Sequence, residues 1–293
     1  MYLGIDIGGS TIKYAHVNAD LKVVKEWTID TFEVTSAKAF YDALVEEMGD
    51  LSGIKEIAIS APGVIADDST VTSIAAAKVA IMFETNVNEE VSKRTNMRVT
   101  TVNDAKAAGY AEYSMGAARG TKSSIAYIIG TGIGGSLIYN GEIINGIDGY
   151  GGELSRTPIM MADGSIKVGA QLCSASGLIY QYNERANADV KSAREVFDKF
   201  HADDPVAIEV MNAWVNYIVI ALVQLVSVFN PDVICIGGGV TQDDSLVPRI
   251  QAVFDHYSAL VFGQPACTTR LVRCEFLTNS NLLGAVLKAH ETE

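Results

Sequence analysis

The chain has 293 residues, of which 48% are hydrophobic and 19% charged, and this apolar content excludes a disordered polypeptide. Its 22 Lys and Arg against 35 Asp and Glu give a formal charge of −13, which leaves no dense basic face for gripping nucleic acid. The length predicts two compact domains or one large domain. We therefore expect a globular protein with no nucleic-acid partner.

The cellular compartment is suggested by the cysteines and by the N-terminus. The four cysteines include no C-x-x-C pair, so a disulfide framework is not expected and a reducing cytoplasm is the default. The chain opens on a strand-like run with neither a basic nor a long apolar leader. The longest apolar stretch, residues 218–229, contains Gln224 and Ser227 and is too short to cross a bilayer. We expect a cytoplasmic protein without membrane association.

Short apolar strands alternate with amphipathic helices along the chain, and the pattern restarts after Gly120. The alternation predicts an α/β protein. The predicted strands are 2–7, 12–18, 23–31, 54–60, 99–103, 124–129, 136–139, 233–236 and 271–276, and the predicted helices are 36–48, 87–95, 105–115, 205–229, 246–262 and 281–290.

A four-residue motif occurs twice. Ile7-Gly8-Gly9-Ser10 recurs as Ile133-Gly134-Gly135-Ser136, each time between predicted strands that are followed by alternating helices and strands. A repeat of this kind can decide an architecture. It predicts two related α/β halves, each opening with a hairpin that turns on glycines.

The first glycine turn has the composition of a phosphate-binding loop. Glycines allow backbone N–H groups to approach an anion, hydroxyls add donors, and a lysine adds charge. An acid at the head of the loop suits a hydrated Mg²⁺. The alternative is an ordinary Gly-Gly hairpin. The candidate residues are Asp6, Gly8, Gly9, Ser10, Thr11 and Lys13.

The second glycine turn matches the dinucleotide fingerprint G-x-G-x-x-G over Gly130–Gly135. That fingerprint requires a helix after the turn, whereas the strand-like Ser136–Tyr139 follows here, which argues against a nicotinamide-dependent oxidoreductase. We interpret the turn as a second phosphate loop, with a purely structural turn as the alternative. Its candidate residues are Gly130, Thr131, Gly132 and Gly134.

Three further motifs lie where ligands bind in α/β proteins. Asn103-Asp104 stands between a predicted strand and helix, where Asp104 could act as a general base or cap the helix. Glu153 follows two glycines and could accept hydrogen bonds from sugar hydroxyls or be a solvated surface residue. Gly237-Gly238-Gly239 follows an apolar strand and permits close approach of a ligand or marks a plain strand end.

Together these motifs resemble the ROK family of the actin-like sugar-kinase superfamily over essentially the whole chain. Asp6–Lys13 and Gly130–Gly135 resemble its two phosphate loops, and Asn103-Asp104 resembles its catalytic pair. The turn containing Pro62 and Gly63 resembles the family's P-G turn, Gly151–Glu153 its sugar-binding G-G-E, and Ile236–Gly239 its adenosine-side glycines.

The resemblance implies transfer of the γ-phosphoryl group of ATP to a sugar hydroxyl. It implies Asp104 as base, Asn103 and Glu153 on the sugar, the glycine loops on ATP, and Mg²⁺ held near Asp6 through water. The expected fold has two lobes with ribonuclease-H-like cores and a central cleft: residues 1–107, joined by a C-terminal helix at about 281–293, and residues 108–280. A homodimer is a further expectation.

The chain departs from the usual family pattern in ways that affect the sugar. Leu154-Ser155-Arg156 follows Glu153 where members continue to a zinc-binding His, and Cys173 is the lone cysteine of residues 160–176. No structural zinc is therefore expected, which resembles a branch that includes β-glucoside kinases. Ala75–Lys78 and Lys106 replace asparagines common in the family. The predicted acceptor is the 6-OH of glucose or a β-glucoside. The alternatives are an N-acetylmannosamine kinase and a non-catalytic sugar-binding ROK protein.

Overall fold

Two five-stranded sheets organise the chain in the computed structural model, which describes residues 1–263, 267–276 and 279–291. Short 3₁₀-helices lie at Ala77–Met82, Leu154–Arg156 and Gly239–Gln242. The strands are β1 (Tyr2–Ile7), β2 (Thr11–Val17), β3 (Val23–Asp30), β4 (Glu56–Ala61), β5 (Val99–Asn103), β6 (Ser123–Ile129), β7 (Ile133–Tyr139), β8 (Glu142–Ile143), β9 (Pro158–Met160), β10 (Ile166–Val168), β11 (Val233–Gly237) and β12 (Arg270–Arg273). The α-helices are α1 (Ala37–Glu46), α2 (Val87–Thr95), α3 (Asp104–Ser114), α4 (Gly169–Leu172), α5 (Ala175–Ala186), α6 (Ala193–His201), α7 (Pro205–Phe229), α8 (Leu246–Phe262) and α9 (Ser280–Glu291).

The two sheets have the same topology. The first has the order β3-β2-β1-β4-β5, with β1 antiparallel to β2 and parallel to β4. The second has the order β8-β7-β6-β11-β12, with β6 antiparallel to β7 and parallel to β11. This correspondence confirms the prediction of two related α/β halves with a ribonuclease-H-like core in each.

The chain divides into two compact units. Unit 1 contains Met1–Met115, Ile143–Gly151 and helix α9, and unit 2 contains Gly116–Glu142 and the described residues from Gly152 to Phe276. The domain boundary expected at residue 107 falls inside α3, all of which belongs to unit 1. Residues 292 and 293 of the expected C-terminal helix lie outside the described residues.

Each unit buries apolar side chains between its sheet and its helices. In unit 1, Phe40 and Leu44 of α1 pack on one face of the first sheet, while Leu282 and Val286 of α9 join a second buried cluster that includes Ala107 of α3. In unit 2, the main cluster joins the second sheet to helices α5, α6, α7 and α8. The two five-stranded sheets are thus each packed against helices through buried apolar side chains.

Helix α7 is the core helix of unit 2. Asp204 caps its start by accepting a hydrogen bond from the Ala207 N–H, Pro205 occupies the first turn, and Asn230 ends it with a φ of 46°. Its bounds are those predicted. Among the described residues it is the helix that is long and apolar enough to cross a bilayer, so its apolar part is longer than the stretch 218–229 considered in the sequence. Of its most apolar 18-residue window, 56% is buried within the protein, as expected of a core helix.

Between residues 142 and 201 the sequence patterns did not predict the elements that form. Strands β8, β9 and β10 have two or three residues each, and α4 has four, so none is long enough to express a periodicity. Strand β7 also begins three residues earlier than predicted, at Ile133 rather than Ser136. Its glycines, which favour a loop, are instead paired with β6.

Helices α3 and α9 approach unusually closely at Gly284. A Cβ at this position would lie 1.8 Å from the Ala107 carbonyl oxygen. We expect Gly284→Ala to force the helices apart and to destabilise the fold by about 1–3 kcal/mol, despite the better helix propensity of alanine. Thermal unfolding checks this, with Gly132→Ala as the control because a Cβ there meets nothing within 4 Å. Equal melting temperatures for the two variants would contradict the close approach.

Candidate functional site

The first glycine hairpin presents backbone N–H groups at its tip. The Gly8 N–H donates to the Thr11 carbonyl (2.9 Å), while Thr31 donates to the carbonyl oxygens of Gly8 (2.7 Å, through its hydroxyl) and Ser10 (2.9 Å, through its N–H). Within the part of the chain that the structure describes, the amides of Gly9 and Ser10 have no acceptor. The carbonyls of Gly8 and Ser10 already accept hydrogen bonds, whereas the amides of Gly9 and Ser10 still have a hydrogen to donate. The tip is therefore suited to an anion.

Asp6 is the penultimate residue of strand β1, beside this hairpin. Its Oδ1 accepts hydrogen bonds from the Ser60 hydroxyl (2.7 Å) and from Nδ2 of Asn281 (3.4 Å). Burial raises the pKa of the Asp6 carboxyl, and the hydrogen bonds and the charge of Lys13 partly offset this effect. A carboxylate beside a hydroxyl fits a hydrated Mg²⁺, which would also favour the ionised form of Asp6.

Lys13 lies opposite Asp6 in the β1–β2 pairing, and its ammonium donates to the side chain of Asn279 (2.7 Å). The predicted phosphate-loop lysine thus has a partner from the protein itself. Thr11 begins β2 with an exposed side chain. All the residues predicted for the first loop belong to unit 1, and they lie within one hairpin.

The second glycine hairpin repeats the design of the first. The Gly130 N–H donates to the Gly132 carbonyl (3.0 Å), and the Gly130 carbonyl accepts from the Ala175 N–H (2.9 Å). Thr131 is exposed at the tip, and a Cβ at Gly132 would meet nothing within 4 Å. Gly134, which was predicted in the loop, lies within β7 opposite Ile128. The tip therefore consists of residues 130–132.

The three glycines at the end of β11, Gly237, Gly238 and Gly239, have different surroundings. A Cβ on Gly237 would lie 2.7 Å from Sγ of Cys274, and one on Gly238 would lie 2.1 Å from the Ile129 carbonyl oxygen, where φ is also +96°. Both positions therefore require glycine for packing. At Gly239 a Cβ would meet nothing within 4 Å. Of the three, Gly239 has the open surroundings of a ligand-contacting residue.

A cavity of about 470 Å³ in unit 2 lies between the tip of the second hairpin and Gly239. Gly130 and Thr131 form one side of its lining and Gly239 another, while Phe197 of α6 adds an aromatic side chain. This volume is typical of a small-molecule site. The backbone amides of the hairpin tip suit the phosphates of a nucleotide such as ATP. The lining from α6, which includes Phe197 and charged side chains, suits its base. The full lining is Ile129, Gly130, Thr131, Ala175, Ala193, Arg194, Phe197, Asp198, Gly239, Val240, Gln242 and Asp243.

Asn103 and Asp104 stand at the junction of β5 and α3, as predicted. Asn103 is the helix cap, because its Oδ1 accepts from the Lys106 N–H (3.0 Å), so the alternative of Asp104 as the cap is wrong. The Ala105 N–H (2.7 Å) and Nδ2 of Asn103 (3.0 Å) both donate to Oδ1 of Asp104. These two bonds to one oxygen fix the plane of the carboxylate.

Asn103 also anchors the Pro62–Gly63 turn, because its Nδ2 donates to the Gly63 carbonyl (2.9 Å). Pro62 is buried, and Gly63 has a φ of +89° with its Cβ direction blocked by the Ser73 carbonyl oxygen at 2.6 Å. A glycine is therefore required there. The structure brings the turn and the Asn-Asp pair together in unit 1.

Glu153 belongs to unit 2 and precedes the short helix Leu154–Arg156. Leu154 is buried against β7, where a Cβ on Gly135 would lie 2.4 Å from its Cγ. Gly135 thus allows the segment carrying Glu153 to pack beside the second hairpin. Glu153 is half-buried and Arg156 is exposed.

The region in which family members carry a zinc knuckle forms the β9–β10 hairpin and helix α4. Burial raises the pKa of the Cys173 thiol to about 12, which disfavours the thiolate that binds zinc. Among the residues that the structure describes, no group of three or more His, Cys, Asp or Glu side chains is arranged to hold a metal ion.

Sequence reasoning missed several residues of these sites. Thr31, Ser60 and Asn281 contact the first hairpin or Asp6 from distant parts of the chain, and Phe197 and Arg194 line the cavity from α6. Ser60 directly precedes the recognised Ala61-Pro62-Gly63 run and pairs with Asp6 across β1 and β4. That strand-end position is the one signal that could have indicated it.

Repeated sheets that each begin with a glycine hairpin define a nucleotide-binding protein of the actin-like ATPase fold. The match with known proteins agrees: the model of the ROK family matches residues 2–292, and the chain belongs to this family. A glucokinase of Halalkalibacterium halodurans is 28% identical over 286 residues, covering 88% of this chain and 86% of that protein. A β-glucoside kinase of Listeria innocua is 26% identical over 254 residues, covering 84% and 85%.

A solved structure agrees over the full length. The ROK family glucokinase of Streptomyces griseus in complex with glucose and AMPPNP superposes with a TM-score of 0.80 at 23% identity, covering 99% of both chains. At this level of identity the superposition establishes the fold.

Proposed function

We propose that this protein is an ATP-dependent sugar kinase that transfers the γ-phosphoryl group to the 6-OH of glucose or of a β-glucoside. Membership of the ROK family and the kinase relatives establish the class of carbohydrate kinase. The observation that carries the proposal is Asp104: its carboxylate is held in a fixed plane at the end of a parallel strand, where α/β sheets bind ligands.

Phosphoryl transfer depends on positioning and on stabilisation of charge more than on covalent chemistry. In the proposed mechanism Asp104 accepts the proton of the attacking sugar hydroxyl. Asn103 and Glu153 orient the sugar, and Pro62-Gly63 shapes the acceptor side. Mg²⁺ when bound neutralises charge on the phosphate oxygens, and Asp6 would hold it through water.

Each unit carries candidate contacts for the nucleotide. The amides of Gly9 and Ser10 and those of Thr131 and Gly132 are suited to phosphate oxygens. The cavity containing Gly239 suits the nucleoside. Ser10, Thr11 and Lys13 add donors at the first hairpin, and Gly8, Gly130, Gly134, Gly237 and Gly238 give the backbone its required shape.

The experiment that tests this proposal is a coupled ADP-release assay across a panel of sugars. We expect activity with glucose and with O1-substituted glucosides such as methyl β-glucoside, at comparable rates. The reason is that Leu154-Ser155-Arg156 follows Glu153 where zinc-bearing members continue to a His, and residues 160–176 contain no Glu to match the sugar-binding Glu of those members' zinc knuckle. Fewer buried groups therefore require a free hydroxyl on the sugar. If every O1-substituted glucoside were rejected while glucose reacted well, the glucokinase assignment would replace the β-glucoside one. Preference for N-acetylmannosamine would favour that alternative.

Activity is expected to require Mg²⁺ but not zinc. EDTA should abolish turnover and Mg²⁺ alone should restore it, because one carboxylate with phosphate oxygens suffices for Mg²⁺ whereas a structural zinc needs four N or S ligands. Elemental analysis of the pure protein checks the second half of the prediction. Stoichiometric zinc would contradict the assignment to a branch without the knuckle.

We further propose that the protein acts in the cytoplasm as a homodimer. The small number of cysteines and the lack of a C-x-x-C pair among them support a reducing compartment, and the resemblance to ROK kinases supports the dimer. Light scattering coupled to size-exclusion chromatography tests the oligomeric state, with a mass near 31.3 kDa contradicting the dimer.

A further inference from the structure

Lys106 occupies a position that ordinary side-chain preferences do not explain. It lies in the first turn of α3, two residues after Asp104, and is only 2% exposed. Lysine is almost never buried unless it is paired, and a cation near a helix N-terminus opposes the helix dipole. Neither solvation nor helix stability therefore accounts for a lysine here, which directs attention to its contacts.

The contacts of Lys106 are with residues 143–151. Its Nζ donates to Oδ1 of Asn145 (2.8 Å) and to the Gly149 carbonyl (2.7 Å). These two acceptors belong to one loop, which is closed by a hydrogen bond from the Gly151 N–H to the Asn145 carbonyl (2.7 Å). The lysine ammonium thus joins both arms of the loop.

Apolar burial contributes little to holding this loop. Ile147 is 98% exposed and Ile144 is 38% exposed, and the structure assigns no regular helix or strand to residues 144–151. Ile143, at the start of the loop, packs against the cluster around α9, so the order of the residues after it depends largely on their polar contacts. The two bonds from Lys106 are short and charge-assisted, which makes them strong.

The loop also lies against the Pro62–Gly63 turn. A Cβ on Gly149 would be 2.8 Å from Cγ1 of Val64, and Nδ2 of Asn145 donates to Oδ1 of Asp67 (3.4 Å). The same turn is tied to the start of α3 by Asn103. The start of α3, the turn and the loop therefore meet around the lysine, and all of them belong to unit 1.

We propose that Lys106 is a positioning residue for the phosphoryl acceptor: it holds loop 143–151 against the Pro62–Gly63 turn and the start of α3, and so fixes the sugar side of Asp104. This inference rests on the proposed kinase function. It assigns a role to a residue that departs from the asparagine common in the family. The ammonium acts through the loop and does not itself contact the substrate.

The test is the variant Lys106→Met, which keeps the length of the side chain and removes its donors. We expect kcat/KM for the sugar to fall about 10–100-fold, since a small misplacement of reacting groups costs about that much, while the KM for ATP stays unchanged. Asn145→Ala, which removes one acceptor of the lysine, should reproduce part of the loss. In the double variant the two losses should not multiply, because both act through the same loop. Lys93→Met, at an exposed lysine of α2, is the matched control.

The two proposals fail in different ways. Wild-type protein that transfers no phosphoryl group to any sugar would overturn the kinase function. Active wild-type protein whose Lys106→Met variant keeps its sugar kcat/KM within twofold would overturn the role of Lys106. So would a rise in the KM for ATP as large as the rise in the KM for the sugar, or a loss explained wholly by a lower folded fraction in thermal unfolding. If Lys106→Met does not fold, Asn145→Ala decides: a sugar-specific loss supports the role and an unchanged kcat/KM overturns it.

Discussion

Asp104→Asn should lower kcat about 10²–10⁴-fold, the usual contribution of a general base, while the KM for the sugar changes little. The substitution is nearly isosteric. The hydrogen bonds from Ala105 and Asn103 both end on Oδ1 of Asp104, and the amide oxygen of asparagine can accept them. The helix cap is also preserved, because it is supplied by Asn103. What the variant removes is the capacity to accept a proton.

The measurement is steady-state kinetics with the best sugar of the panel, accompanied by thermal unfolding. Asp20→Asn, in the exposed turn after β2, is the matched control and should keep normal kinetics. Turnover near the wild-type value in Asp104→Asn, with the fold intact, would remove Asp104 from the chemistry.

Gly239→Val should raise the KM for ATP about tenfold or more and leave the melting temperature close to that of the wild type. Gly239 lines the unit 2 cavity, a Cβ there meets nothing within 4 Å, and its φ lies outside the left-handed region. The protein can therefore accept the valine, and the side chain occupies volume that the nucleotide needs. A tenfold change in affinity corresponds to about 1.4 kcal/mol.

The neighbouring glycine supplies the contrast. Gly238→Ala places a Cβ 2.1 Å from the Ile129 carbonyl oxygen at a φ of +96°, so it should lower the melting temperature. Gly239→Ala, with a smaller side chain, should raise the KM for ATP less than Gly239→Val does. An unchanged KM for ATP in Gly239→Val would show that the nucleotide binds elsewhere.

The elements with strong local signals could be predicted from the sequence. Strand β1 and helices α2, α7 and α8 have the predicted bounds, because apolar periodicity, caps and breakers coincide there. Helix α7, for example, begins at Pro205 after a capping Asp204 and ends at Asn230 before Pro231. The repeated Ile-Gly-Gly-Ser motif correctly indicated two halves of the same topology.

Contacts between distant residues could not be predicted in the same way. Asn281 reaches Asp6 across 275 positions, and no local pattern encodes that pairing. Adjacent Asn103 and Asp104 are both good capping residues, so the sequence could not show which of them caps α3. The geometry at the end of β5 makes Asn103 the cap. In the sequence, Lys106 was recognised as a departure from the family pattern. Its burial could not be predicted, because it depends on contacts with the distant loop 143–151.

The central claim is phosphoryl transfer from ATP to a sugar, and phosphorus NMR of the reaction mixture tests it most directly. Wild-type protein is incubated with ATP, Mg²⁺ and either glucose or methyl β-glucoside. The account predicts a sugar phosphate monoester on the 6-position, formed in equal amount to ADP, and about 10²–10⁴-fold slower formation of this product with Asp104→Asn. ADP that appears only with inorganic phosphate, or ATP left intact with every sugar, would contradict it.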